Sequence, residues 1–575
     1  MSRSRKMIIN TLVLTLTAFL MRGVGIVFQA WLTKKIGAAG IGLYQLVMSV
    51  SMLASTFAIS GIRFATTRLI SMELGKATAH KAEHANAGNF TIGEIQEANC
   101  TSSQNKRGFV GSGAAAAMRR CLIYAFCFGV AAFVLLWFGA GHIGGKWIGD
   151  TRTVTSLKIL SLSLPAFALS AVLGGYFTAV CRVAKTSGVA IFEQLVRIAV
   201  IVVALTILAS HDLETACAII VAGGVVGEIV SFVLLFALYL FERRGFPRTK
   251  APAHSKTSSR GITARMLGIA LPLALSAYAR SALSTLQHLL VPRGLKKSGA
   301  TAETALANYG VVHGMVLPII MFPSSLFYAF AEMVVPELTD AQMRGDSRRI
   351  SALVSNSLRL CLLFAVGFMA CMWGFGGELG EAVYNNADAG KYITILAWLM
   401  PIMYLDSVTD GMLRGLGQQM YSMAYNIFDS VVSVILVWLL LPKYAVNGYI
   451  FMIAFTELIN FGLSINRLRK VTKIRFPVAV VIKAPLSAFA AINVSLLITR
   501  LLGDSTPSVL LLILRMLLCL VIYAVLTFVL GCYNENERKH VKNFLSKLEI
   551  YIKSWYATHV KKRKYGALDK NALQK

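Results

Sequence analysis

The sequence predicts an all-α polytopic membrane protein with about fourteen transmembrane helices, arranged as two six-helix lobes and a C-terminal helix pair. Three observations predict this fold class: composition, long apolar runs and an internal repeat. Of the 575 residues, 56% are hydrophobic and only 15% are charged, and the mean hydropathy is +0.64. This composition excludes a soluble globular protein of the same length.

The apolar residues are gathered into runs that are long enough to cross a bilayer. A hydrocarbon core about 30 Å thick needs about 20 helical residues. Fourteen such runs, called spans 1 to 14, occupy residues 8–31, 41–60, 120–141, 158–180, 187–208, 216–241, 266–288, 308–331, 350–374, 392–413, 421–441, 447–466, 478–502 and 508–531. An even number of spans places both termini on the same side of the membrane.

The net charge of +30 is explained by topology better than by a nucleic-acid partner. Lysine and arginine concentrate at the termini and in alternate connections, for example in 242–265 and in 532–575. Since basic residues stay on the cytoplasmic side of bacterial membranes, we expect a bacterial plasma-membrane protein with both termini in the cytoplasm. The outer connections are too short for a folded catalytic domain.

The internal repeat aligns residues 159–193 with 395–429 without gaps. It superimposes Pro165 on Pro401, among other matches. A shift of six spans preserves orientation, so the halves are expected to be parallel repeats about an axis along the membrane normal.

This repeat divides the chain into five predicted segments. They are an N-lobe (1–241), a cytoplasmic linker (242–265), a C-lobe (266–477), helices 13 and 14 (478–531) and a basic tail (532–575). Within the N-lobe, residues 77–113 are polar and aperiodic, which indicates a flexible cytoplasmic insertion. The tail fits either an amphipathic helix on an anionic leaflet or a solvated charged segment.

Arginines near the middle of apolar spans are the first candidates for function. Arg22 lies in span 1 and Arg280 in span 7, where a charge costs at least about 2.5–3.5 kcal/mol. In facing lobes these arginines would oppose each other across a hydrated cavity. They could bind an anionic head group there, because guanidinium binds phosphate in a bidentate manner.

A second arginine site has an acidic neighbour in the same helix. Glu193 precedes Arg197 by four residues in span 5, a spacing that favours an intrahelical ion pair. The pair is interpreted as structural, with gating or substrate contact as the alternative.

Acidic residues in the second half are candidates for ion coupling. Asp406 and Asp410 share one face of span 10, and Asp429 lies in span 11. Paired carboxylates can bind a cation or a proton. An ion pair with Arg414 is the structural alternative, and it is the favoured interpretation.

Enzyme motifs are missing from the sequence. It contains no Walker A motif, no H-E-x-x-H, no G-x-S-x-G and no His/Cys cluster with metal-ligand spacing. No catalytic residue, cofactor or metal is therefore predicted. His288 and His313 are interpreted as separate structural histidines near span ends.

Several motifs resemble those of a known family. They are Phe19-Leu-Met-Arg22-Gly-Val-Gly25, Gly40-Ile-Gly-Leu-Tyr-Gln45, Ser60-Gly-Ile-Arg63, Glu193-Gln-Leu-Val-Arg197, Leu290-Val-Pro-Arg-Gly-Leu295 and Met321-Phe-Pro-Ser-Ser325. They are similar to the stage V sporulation protein B and polysaccharide-exporter branch of the multidrug/oligosaccharidyl-lipid/polysaccharide flippase superfamily.

This resemblance implies a two-lobed, fourteen-helix transporter that works by alternating access. It would move a lipid-linked (polyprenyl-pyrophosphate) oligosaccharide or peptidoglycan precursor from the inner to the outer leaflet. In the lipid II flippases of the superfamily, arginines line a cationic cavity; Arg22 matches the first of them, and Arg63 matches the second loosely. The implied partners are membrane lipids, the lipid-linked saccharide and proteins of polysaccharide synthesis or envelope assembly.

Two alternatives stay open at this point. A cation-coupled multidrug exporter of the same fold would need an acidic rather than a basic cavity. A non-transporting assembly factor in envelope or spore polysaccharide synthesis would use the insertion 77–113 as its docking site.

Overall fold

The computed structural model describes residues 3–83, 112–180, 182–208, 212–244, 259–472, 474, 478–501, 509–535 and 537–539. Within these ranges the chain is helical and contains no strand, which confirms the predicted fold class. The α-helices are α1 (Arg3–Ile59), α2 (Ile62–Glu83), α3 (Ser112–His142), α4 (Thr153–Ser161), α5 (Leu164–Ala179), α6 (Val183–Ile207), α7 (Leu213–Arg244), α8 (Ser259–Lys297), α9 (Ala302–Tyr309), α10 (Leu317–Met321), α11 (Ser324–Met343), α12 (Ser347–Tyr384), α13 (Ala387–Leu396), α14 (Met400–Gly415), α15 (Gln419–Thr472), α16 (Val478–Leu501) and α17 (Val509–Val529). Two π-helices (Ile143–Ile148 and Gly310–Val316) and one 3-10 helix (Ala397–Leu399) complete the described secondary structure.

The chain is a multi-pass membrane protein. Eleven helical segments of the described chain are long and apolar enough to cross a membrane, or twelve if the bent pair α4 and α5 forms one span. These two helices meet at 45°, and Pro165 lies in the first turn of the second of them, a position where its missing N–H is tolerated. The number fourteen stays a prediction.

Two of the long helices each contain two predicted spans without a loop between them. In α1 the interruption is Gly37 (φ 71°, ψ 176°), and in α15 it is Ala445 (φ 49°, ψ −131°). Glycine adopts positive φ without steric cost, whereas alanine there carries strain of about 1–3 kcal/mol. The predicted connections between spans 1 and 2 and between spans 11 and 12 are therefore kinks.

Span 8 differs from its predicted course. A continuous helix over 308–331 was expected, but the apolar span is Ala302–Met321 and the chain bends before α11. Pro323 precedes the first residue of that helix and cannot donate the backbone hydrogen bond that would continue the earlier one.

The structure describes only the two ends of the predicted insertion 77–113. Helix α2 continues to Glu83 and α3 begins at Ser112, so both ends of the segment are helical. Residues 84–111 lie outside the described part of the chain, as do the linker residues 245–258 and the tail beyond residue 539.

The second part of α1 packs along α8 and joins the two halves of the chain. Thr285 donates a hydrogen bond to the Ser49 carbonyl (2.9 Å), and Tyr278 donates one to the Ser60 hydroxyl (2.7 Å). Gly61 (φ 70°) follows directly, and a Cβ on it would lie 2.6 Å from the carbonyl oxygen of Ala270. Only glycine fits this close approach of the two backbones.

A second close approach lies near the predicted outer end, where Gly42 of α1 meets Gly310. A Cβ on Gly42 would lie 2.0 Å from the Leu306 carbonyl oxygen, and one on Gly310 would lie 2.2 Å from the Ala38 carbonyl oxygen. The backbones of α1 and of the segment around Gly310 are therefore in direct contact. We call this contact the glycine crossing.

An ion pair fixes the start of the tail to α12. Arg359, whose side chain is 7% exposed, donates to Glu537 at 2.5 Å, and the other Glu537 carboxylate oxygen accepts from the Asn534 backbone N–H. Replacing Glu537 by alanine leaves the buried guanidinium without its anion. We expect the free energy of unfolding to fall by about 1–3 kcal/mol. This is less than for a fully buried ion pair, because the carboxylate is partly exposed.

This prediction is checked by thermal unfolding of the purified protein in detergent. The control is Glu535→Ala, which removes an exposed carboxylate two residues away. Equal unfolding temperatures for the two variants would contradict the expected role of the ion pair.

Candidate functional site

A cavity of about 1010 Å³ lies in the first half of the chain, between α1, α5, α6 and α7. Its wall combines apolar side chains with neutral groups that donate and accept hydrogen bonds. The hydroxyl and amide side chains in its lining belong to Gln29, Tyr44, Gln45, Ser49, Ser51, Ser55, Thr56, Ser163, Ser170, Thr186, Gln194 and Ser231. Such a surface suits a ligand that is rich in hydroxyl groups.

Four charged side chains line the same cavity: Arg63, Glu193, Arg197 and Glu228. Arg197 donates to Glu193 one helical turn away, as the spacing predicts. Glycines allow this part of α6 to approach α7, because a Cβ on Gly227 would lie 3.2 Å from the Cβ of Arg197. The pair compensates its own charge within the wall.

Arg63 is the cation that this pairing leaves available to a ligand. It lies in the first turn of α2, is exposed, and forms no ion pair with any residue of the described ranges. Thr67 anchors this turn by donating to the Gly175 carbonyl (3.1 Å). An exposed guanidinium on an anchored turn can bind a phosphate or carboxylate in a bidentate manner.

The structure does not bring Arg22 and Arg280 into this cavity. Both are exposed, and neither belongs to its lining. The backbone next to Arg22 contacts both halves of the chain. In the first half, Gln194 donates a hydrogen bond to the Met21 carbonyl (2.9 Å). On the other side, a Cβ on Gly23 would contact the ring of Phe322 at 3.8 Å.

The structure contradicts the predicted ion pair between Asp410 and Arg414. The Asp410 carboxylate accepts instead from Ser422 (2.8 Å) and Asn426 (3.1 Å), and no ion pair to Arg414 exists in the part of the chain that is described. The reason is that Arg414 is exposed, whereas two neutral donors of α15 face the carboxylate.

Asp406 occupies a more enclosed position. It is 8% exposed and accepts a hydrogen bond from Asn460 (3.0 Å). Its second carboxylate oxygen, the Asn460 amide oxygen and one oxygen of Asp429 are buried without a partner among the described residues. Buried acceptors without donors are costly, so a proton or a monovalent cation would stabilise them. The described chain holds no group of three His, Cys, Asp or Glu suited to a metal ion.

Sequence reasoning missed the relation between the two histidines. His288 of α8 and His313 of the π-helix Gly310–Val316 have ring centroids 4.3 Å apart, and both line the cavity. The only available signal was their place on consecutive spans near the same membrane face. The sequence did not predict the π-helix or the bend after it, and for that reason it could not predict this proximity.

Comparisons with known proteins agree with this architecture. The MatE family model matches residues 298–439. Stage V sporulation protein B of Bacillus subtilis (strain 168) is 21% identical over 434 residues, which cover 76% of this chain and 77% of that protein. Lipid II flippase MurJ of the same organism is 19% identical over 449 residues, covering 75% of this chain and 77% of that protein.

Two solved structures share the fold. A multidrug resistance MATE family transporter of the MOP superfamily, in an inward-facing conformation, has a TM-score of 0.60 at 13% identity and covers 80% of this chain and 99% of its own. Lipid II flippase MurJ in an inward closed conformation has a TM-score of 0.59 at 13% identity and covers 90% of this chain and 98% of its own.

Proposed function

We propose, since this chain belongs to the multidrug/oligosaccharidyl-lipid/polysaccharide flippase superfamily, that it translocates a polyprenyl-pyrophosphate saccharide across a bacterial plasma membrane. The head group enters from the cytoplasm, where both termini lie, and leaves in the outer leaflet. The predicted N-lobe, which contains the cavity, and the predicted C-lobe rock against each other. The chain acts as a transporter and not as an enzyme, and membrane lipids surround the tail of its substrate.

The observation that carries this proposal is the chemistry of the cavity wall. Hydroxyl and amide side chains lie among apolar ones in this wall, Glu193 and Arg197 pair with each other, and Arg63 forms no ion pair in the described chain. A neutral saccharide would hydrogen-bond to the wall while Arg63 binds the pyrophosphate. We propose Arg22 and Arg280, which are exposed on α1 and α8, as further contacts for the pyrophosphate when the lobes rearrange.

The test is translocation of a fluorescent polyprenyl-pyrophosphate saccharide in proteoliposomes, read by quenching of the lipid that reaches the far leaflet. We expect movement by the wild type and strongly reduced movement by Arg22→Ala and Arg280→Ala. Empty liposomes measure spontaneous movement. Absence of movement by the wild type under an imposed potential or ion gradient would contradict the proposal.

A cation-coupled multidrug exporter is a second candidate, and the acidic residues of the second half favour it. Asp406 and Asp410 accept hydrogen bonds from neutral side chains, and one oxygen of Asp429 is buried without a partner among the described residues. Export of a cationic dye by wild-type proteoliposomes that do not move the lipid would support this function. In either case we propose these acids as the ion-coupling site, with the Glu193–Arg197 pair as a gating element.

Ion binding at Asp406 predicts a specific stabilisation. Sodium ions should raise the unfolding temperature of the wild type, because a ligand that binds only the folded state stabilises it by mass action. Asp406→Asn should abolish this rise, and choline chloride at equal ionic strength should not produce it. Asp388→Asn, which changes an exposed carboxylate, is the matched control. A rise of the same size in the Asp406 variant would exclude this site.

A further inference from the structure

Basic side chains gather at the predicted outer ends of two helical segments. Lys146 lies in the π-helix Ile143–Ile148 of the first half, and Arg293 and Lys296 lie near the end of α8 in the second half. Lysine and arginine are disfavoured next to membrane spans on the outer side. A positive cluster in this position therefore indicates a function for the charge.

The structure brings these two segments into contact. The Arg293 guanidinium donates a hydrogen bond to the Lys146 backbone carbonyl. Lys296 follows Arg293 by three residues, a spacing that makes two side chains neighbours on a helix surface. The cluster thus combines residues of both halves of the chain. We call Lys146, Arg293 and Lys296 the outer cation cluster.

The π-helix that carries Lys146 is fixed by its backbone and by packing. The N–H groups of Gly149 (φ 77°) and Asp150 both donate to the Gly144 carbonyl (3.0 Å each). A Cβ on Gly144 would lie 2.6 Å from the side chain of Val154, so the π-helix lies directly against α4. Single π turns occur frequently at functional sites.

The carboxylates of this region are directed to a different cation, Arg152. Both Asp150 oxygens accept from it, at 2.9 and 2.6 Å. The hydrogen bond to Asp150 and the charges of Glu303 and Asp212 raise the pKa of Arg152. Although burial opposes ionisation of Asp150, the hydrogen bonds from Arg152 and the charge of Lys296 lower the pKa of that carboxyl. No member of the outer cation cluster forms an ion pair within the described ranges, so its charge is available to a ligand.

The neighbouring tryptophan indicates the depth of the cluster in the membrane. Trp147 follows Lys146 directly and is 48% exposed, and its ring packs edge-on against His142 (centroids 6.5 Å apart). Exposed tryptophans of membrane proteins lie at the level of the lipid head groups. Lysine and arginine side chains at that level meet phosphate groups.

The cluster also lies just beyond the outer end of the cavity. His288 of α8 lines the cavity. Arg293 follows it by five residues, which is about 7.5 Å farther along the helix axis toward the predicted outer side. A lipid that leaves the cavity outward would therefore pass the cluster.

We propose that the outer cation cluster binds the phosphate group of a lipid in the outer leaflet. A guanidinium has five N–H donors, and Arg293 uses one of them for the Lys146 carbonyl, so further donors are available to phosphate oxygens. Lys146 and Lys296 add two ammonium charges. The occupant is the pyrophosphate of the exported lipid as it leaves the cavity. This choice of occupant rests on the proposed function, whereas the site itself does not.

Site-resolved photo-crosslinking of the full-length protein in phosphatidylcholine vesicles tests the site without any transport. The probe is a polyprenyl pyrophosphate with a diazirine in its first isoprene unit, and labelled peptides are identified by mass spectrometry. We expect label in residues 143–150 and 289–297 of the wild type. Arg293→Gln and Lys146→Gln should reduce it about tenfold, as expected for the loss of one charge-assisted contact.

The matched control is Lys391→Gln, which changes an exposed lysine of α13 at the same predicted membrane face. It should label as the wild type does. Equal labelling of all three variants would overturn the proposal. If Arg293→Gln does not fold, Lys146→Gln still decides, because it changes an exposed side chain and keeps the carbonyl that Arg293 contacts.

Competition with unlabelled lipids identifies the occupant. Stronger competition by polyprenyl pyrophosphate than by phosphatidylglycerol would support the exported lipid. Equal competition would support a phosphate site for resident anionic lipids and overturn the exported lipid as its occupant. A wild type that labels at this site but moves no lipid would contradict the proposed function alone. A wild type that moves lipid but carries no label there would contradict this inference alone.

Discussion

Gly42→Ala is expected to abolish accumulation of the folded protein or its transport, and Gly310→Ala is expected to do the same. In each case the new methyl group would lie 2.0–2.2 Å from a backbone carbonyl oxygen of the opposing segment. Backbone cannot rotate away as a side chain does, so the helices must separate. Overpacking of this kind lowers the free energy of unfolding by about 3 kcal/mol. The loss falls on the contact that joins the two halves of the chain.

Size-exclusion profiles and unfolding temperatures of the variants check this prediction. Gly462→Ala in α15 is the matched control, because a Cβ there meets nothing within 4 Å and alanine is the better helix former. A normal unfolding temperature for Gly42→Ala would show that the two halves do not need this contact. Normal stability combined with lost transport would instead assign the crossing to the transport cycle.

Arg63→Ala is expected to reduce translocation of a pyrophosphate lipid at least tenfold. Removing one partner of a charge-assisted contact costs about 2–5 kcal/mol, and the Glu193–Arg197 pair cannot supply a replacement cation. Arg63→Lys should recover part of the rate, because lysine keeps the charge and loses the bidentate geometry. The assay is the proteoliposome measurement described above, with rates normalised to the amount of reconstituted protein.

The control for this series is Arg68→Ala, which removes an exposed cation from the same helix but outside the cavity lining. It separates the effect of a specific contact from that of the general positive potential. Equal losses in the two variants would mean that Arg63 acts only through that potential.

The apolar runs predicted most spans, because every span needs about 20 apolar residues in the hydrocarbon core. This requirement does not depend on which helices the span packs against. The helix breaks follow other rules. Pro165 and Pro323 mark bends that sequence alone could place. By contrast, the positive φ of Ala445 is imposed by packing, since nothing in alanine chemistry favours that conformation.

The candidate site was predicted less completely than the fold. The Glu193–Arg197 pair depends on spacing within one helix, so the sequence predicts it directly. The donors to Asp410 lie on another helix, and the favoured Arg414 pair was wrong for that reason. The proximity of His288 and His313 depends on the contact between two helical segments, one of them the π-helix that contains His313, and neither feature is encoded in a local pattern.

The kink at Gly37 has a consequence for biogenesis. Because no loop separates its two parts, we expect both parts of α1 to enter the bilayer together rather than as two successive segments. On insertion scales Arg22 costs the first part about 2.5–3.5 kcal/mol, and the apolar second part that enters with it offsets this cost. A nascent chain truncated before residue 41 is therefore expected to insert poorly, whereas one that extends to residue 59 should insert efficiently.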